Sequence, residues 1–306
     1  MAGLIANHLK LHIRNVEPLL AVTMTEVDEW KSREHAADNV LSGTLSSVAE
    51  LADNTSMFRS TDVMSLRIHY RDASTFREIT DEVVRYERNV PDDVYVGDVD
   101  AAAIQSLANN PIPTRHMSAE SKSMLQLMVC MAEGGKYAIG TEESWTDSFV
   151  GHLLNRLSFS EYPLMTQIRP RFRFAVGRAK TVSCRPSFTI FNASAPTVMI
   201  DTDKHMMRVN RNSQWGEHQI AGELLGIAWR NFNTSGPPYN KIVRGVRVIG
   251  TKFTFYKATF PEEYMMQLGN GFPRAKALIY RYPSSDTSQS HLGMDYSDPS
   301  QRKIIV

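Results

Sequence analysis

Thr197-Val-Met-Ile-Asp-Thr-Asp-Lys204 is the stretch whose reading decides the fold. Its apolar run predicts a strand over 197–202 that ends on two carboxylates separated by one residue. Residues two apart on a strand share a face, so Asp201 and Asp203 would point together, with His205 continuing that face. Lys204 would point the other way. Working outward, Ser187 to Phe191 reads as the preceding strand and Gln167 to Ala175 as the one before it. Thr141 with Glu142-Glu143 starts a helix, on which Trp145, Phe149, Leu153 and Leu157 form a stripe at four-residue spacing. Downstream, an apolar face on Trp215, Ile220, Leu224, Leu225 and Ala228 predicts a long helix over 214–232. Two more strands, 243–249 and 252–258, flank Gly250-Thr251, and a short helix over 262–268 ends at Gly269. This order predicts an α/β domain over 126–306: a mixed central sheet flanked by helices.

The first 125 residues read as mainly helical. Leu9, Ile13, Val16 and Leu20 recur at helical spacing, as do Val40, Leu41, Leu45, Val48 and Leu51. One strand is expected over 64–71, followed by a helix through Phe76, Ile79 and Val83. The segment 109–114 carries two prolines and is placed as the connection between halves. Met124, Met128 and Met131 lie on a further helix ending at Gly134-Gly135 and read as core filling.

Composition narrows the functional classes. The chain has 306 residues, 42% of them hydrophobic and 22% charged, which is enough to bury a core. Cys130 and Cys184 are far apart, which argues against a disulfide framework or a cysteine zinc site. Without an apolar run long enough to cross a bilayer, the expected setting is intracellular, cytoplasmic or nuclear, with no membrane partner. Net charge is +1, but residues 1–125 hold 12 basic against 19 acidic side chains and residues 126–306 hold 22 against 14. The halves therefore carry −7 and +8, and the basic half is the one to search for a phosphate-binding surface. Arg169-Pro-Arg171-Phe-Arg173-Phe places arginines and aromatics at alternate positions. With Arg178, Lys180 and Arg185 it forms a basic stretch whose guanidinium groups suit successive phosphates.

The order helix, three strands, helix, two strands resembles the PD-(D/E)XK, or restriction-endonuclease-like, nuclease superfamily. The likeness covers Glu142-Glu143, Arg185-Pro186-Ser187, Val198 to Lys204 and Gln219 to Glu223. The flow around Val248 to Tyr256 is also similar to nuclease-like regions of Crinkler-type effectors. The resemblance implies catalytic roles for Asp201, Asp203, Lys204, Glu143 and Gln219, with Asp201 and Asp203 holding Mg²⁺ or Mn²⁺. Clustered carboxylates around such an ion would neutralise the phosphate and activate water, and a lysine would stabilise developing charge. Two departures matter. Ser187 stands where the family has an aspartate, and the lysine falls at Lys204, one residue beyond the family's spacing. Three readings follow. The chain is a nucleic-acid-binding protein of nuclease-like fold with lost cleavage, such as an effector; or an active metal-dependent nuclease; or an assembly protein that contacts a protein partner or forms a homo-oligomer.

Overall fold

The computed structural model describes residues 44–80, 90–97, 99–107, 117–134, 143–202, 216–234, 242–284 and 293–306. Two 3-10 turns, Val48–Glu50 and Thr55–Met57, lead into helix α1, Ser60–Ser65, and strand β1, Ile68–Asp72. Helices α2 (Phe76–Thr80), α3 (Asp92–Tyr95), α4 (Ala101–Leu107), α5 (Ala119–Gly134) and α6 (Glu143–Arg156) follow. Then come β2 (Leu164–Ile168), β3 (Phe172–Val176), β4 (Lys180–Cys184), β5 (Phe188–Asn192) and β6 (Ala195–Thr202). The chain continues through α7 (Glu217–Thr234), β7 (Ile242–Ile249), β8 (Lys252–Thr259), α8 (Glu262–Leu268), β9 (Ala277–Tyr282), β10 (Met294–Asp295) and α9 (Pro299–Ile305).

The fold is α/β, with an eight-stranded mixed sheet ordered β1-β9-β8-β7-β6-β5-β2, while β10 pairs with β8. β2, β5 and β6 form an antiparallel meander. Helix α7 then crosses over to β7, which runs parallel to β6, and β8 returns antiparallel. Each face of the sheet carries its own core. Val198, Ile200, Val246, Val248, Phe253 and Phe255 belong to the cluster under α5 and α6. Their neighbours Met199, Val243, Tyr256 and Ala258 belong to the cluster under α7 and α8. Alternate residues thus separate into two apolar layers, as strands covered by helices on both sides require.

The expected strand over 167–175 is two strands in different sheets. Arg169 adopts φ 49° and Pro170 has no amide hydrogen to donate, so the ladder stops at Ile168. β3 and β4 instead pair with each other as a separate two-stranded sheet that the sequence pattern does not announce. Their inner residues Phe172, Phe174, Val182 and Cys184 are buried in the α7 cluster. Gly226 makes this approach feasible, because a Cβ there would lie 2.3 Å from Cys184 Sγ. The strand expected over 64–71 is helical up to Ser65. Arg67, at φ 52°, turns the chain into β1, which pairs in parallel with β9. The expected helical faces at 9–20 and 40–43 lie outside the described residues. Among the described residues, no helix is long and apolar enough to cross a membrane.

Two imidazoles make this fold pH-sensitive. Burial holds His152 on α6 and His218 on α7 below the usual 6.5, with Arg156 also opposing a charge on His152. As pH falls, the unfolded chain takes up protons that the folded chain resists. Their contribution is therefore complete above pH 6.5 and is lost progressively below it. Melting temperature is expected to fall between about pH 7 and about pH 5, with a shallower fall in His218→Gln. Melts of both proteins across that range check this.

Candidate functional site

β6 ends between two helices, and its last residues divide between them. Asp201 is in register with Arg247 of β7 and lies on the α7 side, whereas Thr202 lies on the α6 side. On the α7 side, the Gln219 amide donates to Asp201 Oδ2 at 3.1 Å and to Glu223 Oε1 at 3.0 Å. Gln219 and Glu223 sit one helical turn apart, which brings the amide between two carboxylates. On the α6 side, Thr202 Oγ1 donates to Asp147 Oδ1 at 2.5 Å, and Arg169 holds Asp147 Oδ2 at 2.8 Å.

Ser187 joins the two sides where β5 begins. Its Oγ lies 2.7 Å from Thr202 Oγ1, accepts from the Thr202 amide at 3.2 Å, and is 3.4 Å from Asp201 Oδ1. The Thr202 hydroxyl proton is directed to Asp147, so Ser187 must donate to Thr202. A continuous polar chain therefore runs from Arg169 through Asp147, Thr202 and Ser187 to the neighbourhood of Asp201, Gln219 and Glu223. Most of it is dry: Asp201 is 7% exposed, Ser187 5%, Thr202 4% and Glu223 1%.

The sequence-derived site residues distribute as follows. Asp201 and Gln219 meet directly. Glu143 is the first residue of α6. Asp203 and Lys204 lie outside the described residues. The residue of α6 that reaches the end of β6 is Asp147, which sequence reasoning missed. Its signal was the four-residue interval from Glu143, the spacing of one helical turn. Thr202 was also missed, because the alternation argument valued only the carboxylate face.

Mg²⁺ and Mn²⁺ are hard cations that take oxygen ligands. Between Asp201 and Glu223 stands the Gln219 NH₂ group, and Ser187 brings no charge. Asp203, the second carboxylate expected to hold Mg²⁺ or Mn²⁺, lies outside the described residues. Among the described residues, no group of three or more His, Cys, Asp or Glu side chains is placed to hold a metal ion.

The basic stretch is rearranged relative to the sequence reading. Arg169 is committed to Asp147, and Lys180 pairs with Asp53 at 2.5 Å, a carboxylate remote in sequence. Arg171 and Arg173 are exposed on the outer side of β3, alternating with buried Phe172 and Phe174. Because Phe172 pairs with Cys184, the next position outward brings Arg185 beside Arg171, and Arg185 Nε donates to the Arg169 carbonyl at 3.1 Å. Arg178 is exposed in the turn. The hairpin therefore presents Arg171, Arg173, Arg178 and Arg185 outward, with its apolar side on α7.

A second polar cluster sits beside the first. Arg281 bridges Asp72 of β1 and Glu217, the first residue of α7, both at 2.5 Å. Tyr256 donates to Glu217 Oε1 at 3.3 Å and Tyr70 to the Glu217 carbonyl at 2.5 Å. The turn of α7 that presents Gln219 is thus held by β1, β8 and β9.

The sequence matches no protein-family model and no curated protein.

Proposed function

We propose that the chain is a nucleic-acid-binding protein with a PD-(D/E)XK nuclease-like fold that has lost phosphodiester cleavage. One observation carries this reading. An antiparallel meander is followed by a helical crossover into a parallel fourth strand, and Asp201, ending the third meander strand, is hydrogen-bonded to Gln219 of the crossover helix. Both features agree with the resemblance seen in the sequence. Binding is favoured over cleavage because Ser187 supplies a hydroxyl already committed to Thr202. The Gln219 amide also donates to both Asp201 and Glu223, the carboxylates that would otherwise be open to a cation. The arginine side of the hairpin supplies the contact surface, since guanidinium groups suit phosphate oxygens and need no metal. An effector role in which such a protein occupies nucleic acid without cutting it is compatible with this chemistry.

The test is fluorescence anisotropy with labelled single-stranded and duplex DNA and RNA in chelator, across a salt series. Binding is expected without divalent ions and is expected to weaken steeply with salt. Arg171→Glu with Arg173→Glu should weaken it at least about tenfold and lower the salt slope by about one for each phosphate that is no longer neutralised. Absence of binding at low salt would remove the nucleic-acid reading. Cleavage in Mg²⁺ or Mn²⁺ that disappears in Asp201→Ala would replace it with the active-nuclease reading.

A further inference from the structure

The outward side of the hairpin is unevenly charged. Its outward positions are Arg171, Arg173 and Ala175 on one chain and Thr181, Ser183 and Arg185 on the other. The arginines gather at the root, and the end toward the turn holds Ala175 opposite Thr181. Arg171 and Arg185 flank the ladder just beyond the pair of Phe172 with Cys184, where Arg185 Nε donates to the Arg169 carbonyl at 3.1 Å and keeps the two chains side by side. Arg173 follows two residues on, about 7 Å from Arg171 and on the same side. Arg178 lies apart in the turn. The root arginines thus make a focus and not a track.

This focus has no internal counter-charge. The other two cations of the stretch have carboxylate partners, Asp147 for Arg169 and Asp53 for Lys180. Among the described residues no carboxylate pairs with Arg171, Arg173 or Arg185, and all three are exposed. Like charges set beside one another across two strands repel, so the arrangement costs stability until an anion lies between them. A phosphodiester brings a single negative charge, which one guanidinium matches. A phosphate monoester brings about 1.5 to 2 charges at pH 7 and three oxygens, each able to accept from a different guanidinium. In a nucleic acid only a phosphate at a strand end has that charge.

We propose that the hairpin root binds the terminal phosphate monoester of a nucleic-acid strand through Arg171, Arg173 and Arg185. This rests on the nucleic-acid reading above and narrows it from the strand to its end. Arg178, remote in the turn, serves the internal backbone.

The test is anisotropy at low salt in chelator, with one internally labelled strand carrying a 5′-phosphate, a 3′-phosphate or hydroxyls at both ends. One phosphorylated form should bind at least about tenfold more tightly than the hydroxyl form, the effect of added charge-assisted hydrogen bonds. That ratio, and not the affinity itself, is the readout. It should vanish in the double variant Arg171→Ala with Arg185→Ala, whereas Arg178→Ala should weaken all three forms alike and keep it. Because a monoester loses its second charge near pH 6, the ratio should also shrink between about pH 7.5 and about pH 5. Equal binding of the three forms overturns this inference and leaves the nucleic-acid reading standing; no binding of any form removes both. A ratio that persists in the double variant, or that does not respond to pH, overturns the assignment to these arginines.

Discussion

Replacing Arg302 with alanine is expected to lower the folding stability by about 3–5 kcal/mol, the range seen when one partner of a buried charged arrangement is removed. Arg302 is wholly buried on α9. Its guanidinium donates to the carbonyls of Tyr296 at 2.7 Å, Val99 at 2.6 Å, Gly97 and Ser297 at 3.2 Å, and Tyr95. It also lies 5.4 Å from the centre of the Tyr296 ring. One side chain therefore ties the C-terminal helix to the segment after α3. Alanine would leave several carbonyls without a donor in a site too dry to replace them, and each orphaned group costs about 1–3 kcal/mol. Lysine keeps the charge but has three donors on one nitrogen, so Arg302→Lys should recover only part of the loss. Urea unfolding of the three proteins checks both statements, and a loss below about 1 kcal/mol in the alanine variant would contradict the bracing role.

Arg281→Ala is expected to cost a similar amount, about 3–5 kcal/mol, for a different reason. It takes the guanidinium from Glu217, whose nearly dry carboxylate keeps the Tyr256 hydroxyl, and frees Asp72 of β1 from α7. Most of that loss reflects an uncompensated buried charge and not the worth of the ion pair. The double variant Arg281→Met with Glu217→Leu should therefore be more stable than Arg281→Ala alone. Hydrogen exchange adds a local reading: the first turn of α7, where Gln219 meets Asp201, should exchange faster in Arg281→Ala. An unchanged rate there would separate this brace from the site.

Much of the C-terminal architecture was legible because apolar periodicity reports directly on burial. The run at 198–200, the stripe 149–157 and the face of α7 each have one packing solution, and the elements form within a few residues of expectation. What was hidden depended on geometry that periodicity does not carry. Arg169-Pro-Arg171-Phe alternates like a continuing strand, yet a left-handed Arg169 before a proline splits it, and no pattern of side chains reveals that. The ion pairs of Arg169 with Asp147 and of Lys180 with Asp53 were equally invisible. Their partners, Asp147 and Asp53, come from distant parts of the chain, a relation that local sequence does not display. At the site, the resemblance pointed to Gln219, and the carboxylate pair at a strand end together with it pointed to Asp201; the fold brings these two side chains into contact. Asp147 and Thr202 were missed because their roles come from the two sides of one strand end, a relation that only the folded sheet creates.

The hairpin of β3 and β4 leaves the meander after Arg169 and rejoins it before Ser187, two residues held together by a single amide-to-carbonyl bond of 2.8 Å. With its apolar side anchored on α7, the piece offers only its outward side to change. The arginines there can be exchanged while the strand ends around Asp201 keep their places, so that ligand choice and scaffold integrity are free to diverge separately.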